Sequence, residues 1–487
     1  MSEANPRIYG LFFEIDDKCY FYDANTGHIM EVAPIVYNLL QGEVTQLAKY
    51  NNEDITRARN LIRMYRDKYG VFQQPRFKTV LYKPDEIRRV LNEQLHMMIL
   101  NITEDCNLRC RYCTFGKHYP YIRNRTNRRM SWRVAKRAID FLFEHSGVQD
   151  HLHISYYGGE PLLMFQLIKE ATEYAVWKWR GTHKKLHFGI TTNLTLLTYE
   201  MLEFFVKHNF ILTVSLNGPK EINDRERVTP QGKGTYGLVI DKLAMIKNKY
   251  SKYFENNVNY SVVLTPPFDL IKVRDFFNNF DYRTKGELFI NLVDQNDTTY
   301  YAQFGDDIWQ DYHTQVQQLR DDFIKKLEGN EPVDWFSLSF FGNRLYGIHK
   351  REIGLTDYIY PNGACIPGAS RTYVSTQGIL YPCEKIAERL SVGDVWNGFD
   401  FNRVRYIYER YVEMCEALCL NCVVNRLCSM CYVSVLVPKG RHYVLSINRK
   451  KSQCESIKKG IIADLKFYIQ ILSKVGEKFE QCLQFTG

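Results

Sequence analysis

Cys106, Cys110 and Cys113 stand in a C-x3-C-x2-C array inside Ile102–Phe115 (ITEDCNLRCRYCTF), with Tyr112 directly before the last of them. Three thiolates this close in sequence can converge on one metal centre when the chain between them curls into a loop. A structural zinc site takes four protein ligands, usually as two C-x2–4-C pairs. Apart from this array, no cysteine lies between Cys19 and Cys365. Two readings follow. A zinc knuckle has to borrow a distant fourth ligand. A four-iron cluster held by three cysteines keeps one iron open, and an open iron is where chemistry can happen.

The segments around the array are those that can hold it in place. Leu95–Ile102 reads as an apolar strand running into the cysteine loop, and Ser131 caps a helix to about His145. His153–Tyr157 is a strand closed by Gly158-Gly159-Glu160-Pro161. The alternation continues with a helix to about Arg180, strand Leu186–Thr192, helix Tyr199–His208, strand Ile211–Leu216, helix Tyr236–Lys249 and strand Val258–Leu264. Strands alternating with helices of this length imply βαβ units and a parallel sheet. Six or so units are too few for a closed eight-stranded barrel, so the expected fold is α/β with a partial (β/α)6 barrel at 96–310. Working residues in such folds collect at the C-terminal strand ends. The cysteine loop, GGEP, Thr191-Thr192-Asn193 and Ser215-Leu216-Asn217-Gly218 all fall there.

In this order the motifs resemble the radical S-adenosylmethionine (SAM) superfamily. The resemblance implies that Cys106, Cys110 and Cys113 hold a 4Fe–4S cluster whose open iron is chelated by SAM. An electron from that cluster would cleave SAM to methionine and a hydrogen-abstracting 5′-deoxyadenosyl radical. It also implies that Gly158, Gly159, Glu160 and Pro161 receive the methionine amine, largely through backbone groups, and that Tyr112 lies near the adenine. Asn193 and Ser215 would contact the ribose or carboxylate, with Arg227 a further candidate for the carboxylate. No catalytic residue beyond these is assigned.

Nine of the thirteen cysteines follow residue 360. Cys365, Gly378 and Cys383 form C-x12-G-x4-C, and Arg371–Ser375 and Ile379–Pro382 read as a hairpin turning at Gly378. Cys419, Cys422, Cys428 and Cys431 give C-x2-C-x5-C-x2-C, and Cys454 follows. Read alone, these would suit a pair of structural zinc sites. Next to the barrel motifs, 362–487 resembles the seven-cysteine extension called SPASM, which carries two auxiliary 4Fe–4S clusters, making three in all. By position Cys365, Cys383 and Cys431 serve the first, and Cys419, Cys422, Cys428 and Cys454 the second. The last spacing is x2 where the family has x3. The first set lacks a fourth ligand upstream; Cys415 supplies it, or the cluster keeps an open iron for a substrate thiolate. Cys19 and Cys482 are read as ordinary thiols.

At the other end, residues 1–75 hold three short strands (Ile8–Glu14, Cys19–Tyr22, Ile29–Val32) and two helical patterns, Pro34–Gln41 and Asp54–Tyr69. This winged-helix-like unit resembles the leader-peptide recognition domains of ribosomal-peptide modifying enzymes, which add a leader as an extra strand. A structural cap on the barrel is the other reading. Residues 76–95 read as a linker and 311–361 as a bridge, and the basic run Lys117–Arg129 as a solvated loop. No run is long enough for a membrane span, and the N-terminus lacks a signal-peptide layout. A cytoplasmic protein is expected, in which cysteines serve as metal ligands rather than disulfides. The net charge of +9 permits an acidic partner without demanding one.

Together these features point to a maturase of a ribosomally made precursor peptide, served by a flavodoxin- or ferredoxin-type electron donor. The expected product is a thioether cross-link. Carbon–carbon or ether cross-linking and sulfatase maturation are the alternatives within the enzyme class. A zinc-dependent nucleic-acid-binding protein is the distant one.

Overall fold

A computed structural model describes residues 8–75, 77–360, 365–440 and 442–482; the side chains of Val44, Glu477 and Cys482 lie outside the described residues. So does the expected boundary at 361–362. The N-terminal strands β1 (Gly10–Ile15), β2 (Lys18–Asp23) and β3 (Ile29–Val32) form an antiparallel meander in that order. One face packs Phe21 with Val36, Leu40, Ala58 and Ile62 from helices Pro34–Gln41 and Asn52–Tyr69. The other face adds Phe13, Tyr20 and Tyr22 to the main core. Asn51 caps the longer helix, accepting from the Asp54 amide at 2.8 Å.

Six parallel strands follow: β4 (Met97–Thr103), β5 (His151–Gly158), β6 (Lys185–Thr192), β7 (Ile211–Ser215), β8 (Val258–Leu264) and β9 (Leu288–Leu292). Each pairs with its sequence neighbour, which is the partial (β/α)6 barrel that the alternation of elements leads one to expect. Both faces of β4 are covered, so it opens on the apolar run MMIL rather than an alternation, and Asn101 and Thr103 at its C-terminal end are buried polar residues. The sixth strand, β9, supplies the unit that a six-stranded barrel requires beyond the five strand segments named from the sequence.

Three further departures bear on the site. First, the expected linker contains a helix, Pro84–Glu93, with Ile87 and Leu91 buried in the main core. Second, the tail is continuous with the barrel sheet. Its strands β10 (Arg371–Val374), β11 (Ile379–Tyr381), β12 (Gly393–Asp394) and β13 (Gly398–Phe399) extend the sheet beyond β4, with β10 parallel to β4 from Arg371↔Met97 to Val374↔Leu100. Third, the basic run is not simply solvated. Tyr119 and Ile122 are buried, and Arg123 sits on the Phe115 ring between Glu104 (3.6 Å) and Glu388 (3.0 Å). Glu388 also accepts from Asn101 and Tyr373, at 2.9 Å each, so this ion pair ties the cysteine loop to the tail.

At the opposite end of the barrel, His151, His153 and His187 stack, with ring centres 4.7–5.2 Å apart along the two contacts. His153 is held below the ordinary histidine value by burial and then by His187, His96 and His151. His187 is lowered by burial, His151 and Lys185. Below about pH 6.5 the unfolded chain therefore takes up protons that the folded chain refuses, and stability falls as pH drops. Urea unfolding at pH 7.5 and 5.5 should show this loss, and His187→Gln should reduce it. An unchanged pH dependence in that variant would refute the assignment.

Candidate active site and cysteine-rich tail

A cavity of about 320 Å³ opens at the C-terminal ends of β5 to β9, against the cysteine loop that follows β4. Cys106, Cys110 and Cys113 line it together with Tyr112, Tyr157, Gly158, Gly159, Asn193, Ser215 and Arg227. Of the residues expected here, Glu160 and Pro161 do not reach the wall; both are buried behind it.

The glycines have a specific reason to be there. A Cβ on Gly158, whose φ is +137°, would stand 2.3 Å from the Thr103 carbonyl oxygen, and one on Gly159 only 2.0 Å from that of Asp105. The backbone of GGEP thus lies directly against the entry of the cysteine loop. The amides of Gly159 and Glu160 donate to Thr103 O and Asp105 O, both at 2.8 Å.

Glu160 fastens this turn to the next strand end. Its carboxylate accepts from Thr192 Oγ1 (2.7 Å), the Asn193 amide (2.8 Å) and the Leu162 amide (3.0 Å). Burial lifts its carboxyl above the ordinary range, against those hydrogen bonds and the charge of Arg227. Asn193 then reaches back to Asn107 (2.9 Å), beside Cys106. From the other side, the amides of Arg109 and Arg111 donate to Val228 O and Glu226 O. The loop is therefore held on two flanks by short polar contacts.

Arg227 is 6% exposed and donates to the Tyr112 hydroxyl at 2.6 Å; among the described residues its Nε has no hydrogen-bond partner. Burial pushes the Tyr112 phenol up to about 12, with Arg227 working against it. Asn217, which the sequence reading placed at a strand end but gave no role, meets the Tyr112 hydroxyl and accepts from the Val263 amide at 3.2 Å. Burial, then Glu160, Cys110 and Cys113, pushes the Cys106 thiol up to about 12. Among the described residues no three His, Cys, Asp or Glu side chains close around a single-ion position. What fits an iron–sulfur centre with SAM is the donor set: three soft thiols on one wall, backbone brought close by glycine, and a buried guanidinium facing them.

In the tail, Cys419, Cys422, Cys428 and Cys454 line one cavity of about 230 Å³ with Met430 and Lys450. Among the described residues the hydroxyls of Tyr9, directly before β1, and of Tyr22, in β2, are buried without hydrogen-bond partners. Both lie within electrostatic reach of Cys422. Cys383 is pushed up to about 12 by burial and Glu384, then by Cys431 and Cys365, so these three also share a neighbourhood. The Tyr432 hydroxyl stands 3.4 Å from the Cys365 sulfur. Cys415, the candidate fourth ligand there, is buried with its sulfur against Cys419, at the other set. Helix Phe401–Leu418 carries it to that side.

Comparison with known proteins agrees with this architecture. The Radical SAM superfamily profile matches residues 100–275. An uncharacterised protein of Methanocaldococcus jannaschii is 30% identical over 191 residues, 36% of this chain and 62% of that one. This chain thus spans less than two thirds of that relative's length. A cysteine-type anaerobic sulfatase-maturating enzyme of Clostridium novyi is 25% identical over 300 residues, 60% of this chain and 74% of that one. The solved structure of native anSMEcpe with bound AdoMet and Kp18Cys peptide shares the fold, with TM-score 0.56, 19% identity and coverage of 80% and 98%. The stretch matched by the Radical SAM superfamily model, residues 100–275, is the one that sets three thiols at the mouth of the six-stranded partial barrel.

Proposed function

We propose that this protein is a cytoplasmic maturase that cross-links a ribosomally made precursor peptide, with a thioether as the product. The observation that carries the reading is the open edge of the N-terminal sheet. Among the described residues β3 pairs only with β2. Beside it runs an apolar groove of about 210 Å³, with Met30, Val32, Leu61, Ile62, Tyr65 and Phe72 in its walls. Leu61 and Tyr65 are substantially exposed. An unpaired strand next to such a groove is what a leader segment needs to add as a further strand.

The module is fixed to the rest of the chain. Arg351 donates to Gly27 O at 2.6 Å, and Arg426 to Asn25 O at 2.5 Å. A leader held there leaves the following core peptide to enter the barrel mouth. Cys106, Cys110 and Cys113 would hold the cluster that binds SAM, and the two tail sets would hold auxiliary clusters. When bound, the cluster and SAM together supply a hydrogen-abstracting radical. Around it this chain's residues would position the group: Gly158 and Gly159 present backbone, Arg227 offers a guanidinium to anionic groups, and Tyr157 and Phe115 line the cavity. An open position at Cys365, Cys383 and Cys431 would take a peptide thiolate, and a flavodoxin- or ferredoxin-type protein would supply electrons.

Anaerobic reaction with a precursor peptide that carries a leader and a cysteine-containing core, followed by mass spectrometry, tests the reading. Loss of two hydrogens per ring and a thioether fragmentation pattern are expected; an unmodified peptide would overturn it. Leu61→Asp with Tyr65→Asp should weaken leader binding about tenfold or more, read by fluorescence anisotropy, with iron content unchanged. Unaltered affinity would remove the groove from the proposal. The match to the sulfatase-maturating enzyme over 60% of this chain favours a second reading, oxidation of a cysteine in a sulfatase peptide. The same assay with such a peptide decides between them.

A further inference from the structure

Lys450 stands in the first turn of helix Ile447–Val475 and is 1% exposed. Its Nζ lies 3.3 Å from the Tyr411 hydroxyl, 3.7 Å from Met430 Sδ and 4.6 Å from the centre of the Tyr411 ring. It shares a cavity with Cys419, close enough for its charge to act on that thiol. Cys454 follows it by four residues, on the same face of the helix. The cavity they share contains Cys419, Cys422 and Cys428 as well. Among the described residues Lys450 forms no ion pair with a carboxylate. A buried ammonium is costly unless negative charge lies beside it. The groups it touches are a phenol and a thioether, the thiols share its cavity, and Glu455 on the cavity wall is exposed and makes no ion pair with it, so the compensating buried charge has to come from the sulfurs.

We propose that Lys450 is a positioning residue for the metal centre of Cys419, Cys422, Cys428 and Cys454, holding negative charge at those sulfurs and making the centre easier to reduce. The proposal rests on the reading that this set carries an auxiliary 4Fe–4S cluster. Net charge, hydrogen bonds to sulfur and solvent exposure set the potential of such centres. A one-electron reduction adds a negative charge, and a fixed cation in a poorly screened interior favours the state with more of it. The surroundings are arranged to keep the ammonium in place. Tyr411 is fully buried, its hydroxyl donates to Met430 O, and its ring lies edge-on to Tyr432 at 6.1 Å. Tyr432 in turn touches Cys365. The cation therefore sits at the side of the second set that faces the first.

The test uses the full-length, iron-loaded protein and redox titration followed by electron paramagnetic resonance. The signal belonging to this set is the one that Cys419→Ala removes. In Lys450→Met and Lys450→Gln that signal should titrate at a lower potential, with iron and sulfide content unchanged. Lys450→Arg should return it towards the wild-type value. An unmoved potential in both neutral variants, with iron retained, overturns the proposal. If the neutral variants lose this set's iron, retention by Lys450→Arg supports a role for the charge. Loss in Lys450→Arg as well reduces Lys450 to packing and overturns it. A wild-type tail without iron would sink the auxiliary-cluster reading itself, and the iron count distinguishes that failure from the others.

Discussion

Replacing Cys106, Cys110 or Cys113 with Ala is expected to abolish reductive cleavage of SAM outright. Iron should fall by about four atoms per chain, from about twelve to about eight if the tail sets are filled. A three-ligand centre has no spare: losing one thiolate leaves two sulfurs for four irons. The fold should survive, because the loop is held by contacts that do not involve sulfur. The Gly159 and Glu160 amides still reach Thr103 and Asp105, and Asn193 still reaches Asn107. Leader binding, some distance away on β3, should be unaffected. Anaerobic preparation, iron and sulfide analysis and chromatographic detection of 5′-deoxyadenosine check the result. Cleavage at wild-type rate in any of the three variants would contradict the assignment of the loop.

Gly159→Ala should be nearly as damaging without touching a ligand. The added carbon would stand 2.0 Å from Asp105 O, 2.5 Å from Asp105 C and 3.2 Å from Cys106 Cβ. Two of those atoms are backbone, so no side-chain rotation relieves the clash; the cysteine loop and the GGEP turn have to part. Overpacking of this kind costs about 1–3 kcal/mol, and here the strain falls on the segment that sets the spacing of the thiols. The expected result is a folded protein with SAM binding reduced below detection in equilibrium dialysis and a lowered melting temperature. Gly237→Ala is the control. Nothing lies within 4 Å of its added carbon, so SAM binding should be unchanged. Wild-type SAM binding in Gly159→Ala would show that the close approach is incidental.

Much of the barrel was legible because its signals are local. Cys106, Cys110 and Cys113 declare themselves by spacing, and GGEP by the only residues that let two backbones approach so closely. The helix after Ser131 follows from a cap and an apolar face within fourteen residues. What escaped depends on distant partners. Nothing near Asn217 says that Tyr112 will arrive from another strand end. The RTYV segment carries no mark that its neighbour will be β4 rather than a strand of its own domain. Lys450 in a basic stretch looks like a solvated residue until helix Phe401–Leu418 brings Tyr411 over it. Cys415 is the local exception: one helical turn before Cys419, it meets that sulfur at the end of helix Phe401–Leu418. The linker helix Pro84–Glu93 was hidden by its mixed charge, since only Ile87 and Leu91 face inward.

The pairing of β4 with β10 also sets an order of events during synthesis. Met97 leaves the ribosome long before Arg371, its partner in the sheet. At about 5–20 residues per second, the strand leading into the cysteine loop waits on the order of tens of seconds for its neighbour. Throughout that interval one side of an almost wholly apolar strand presents unpaired amides and carbonyls, a template for other chains. A nascent chain stalled before residue 371 is therefore an aggregation hazard even with every barrel strand already made. Translation of the tail ends that exposure as well as delivering the last cysteines.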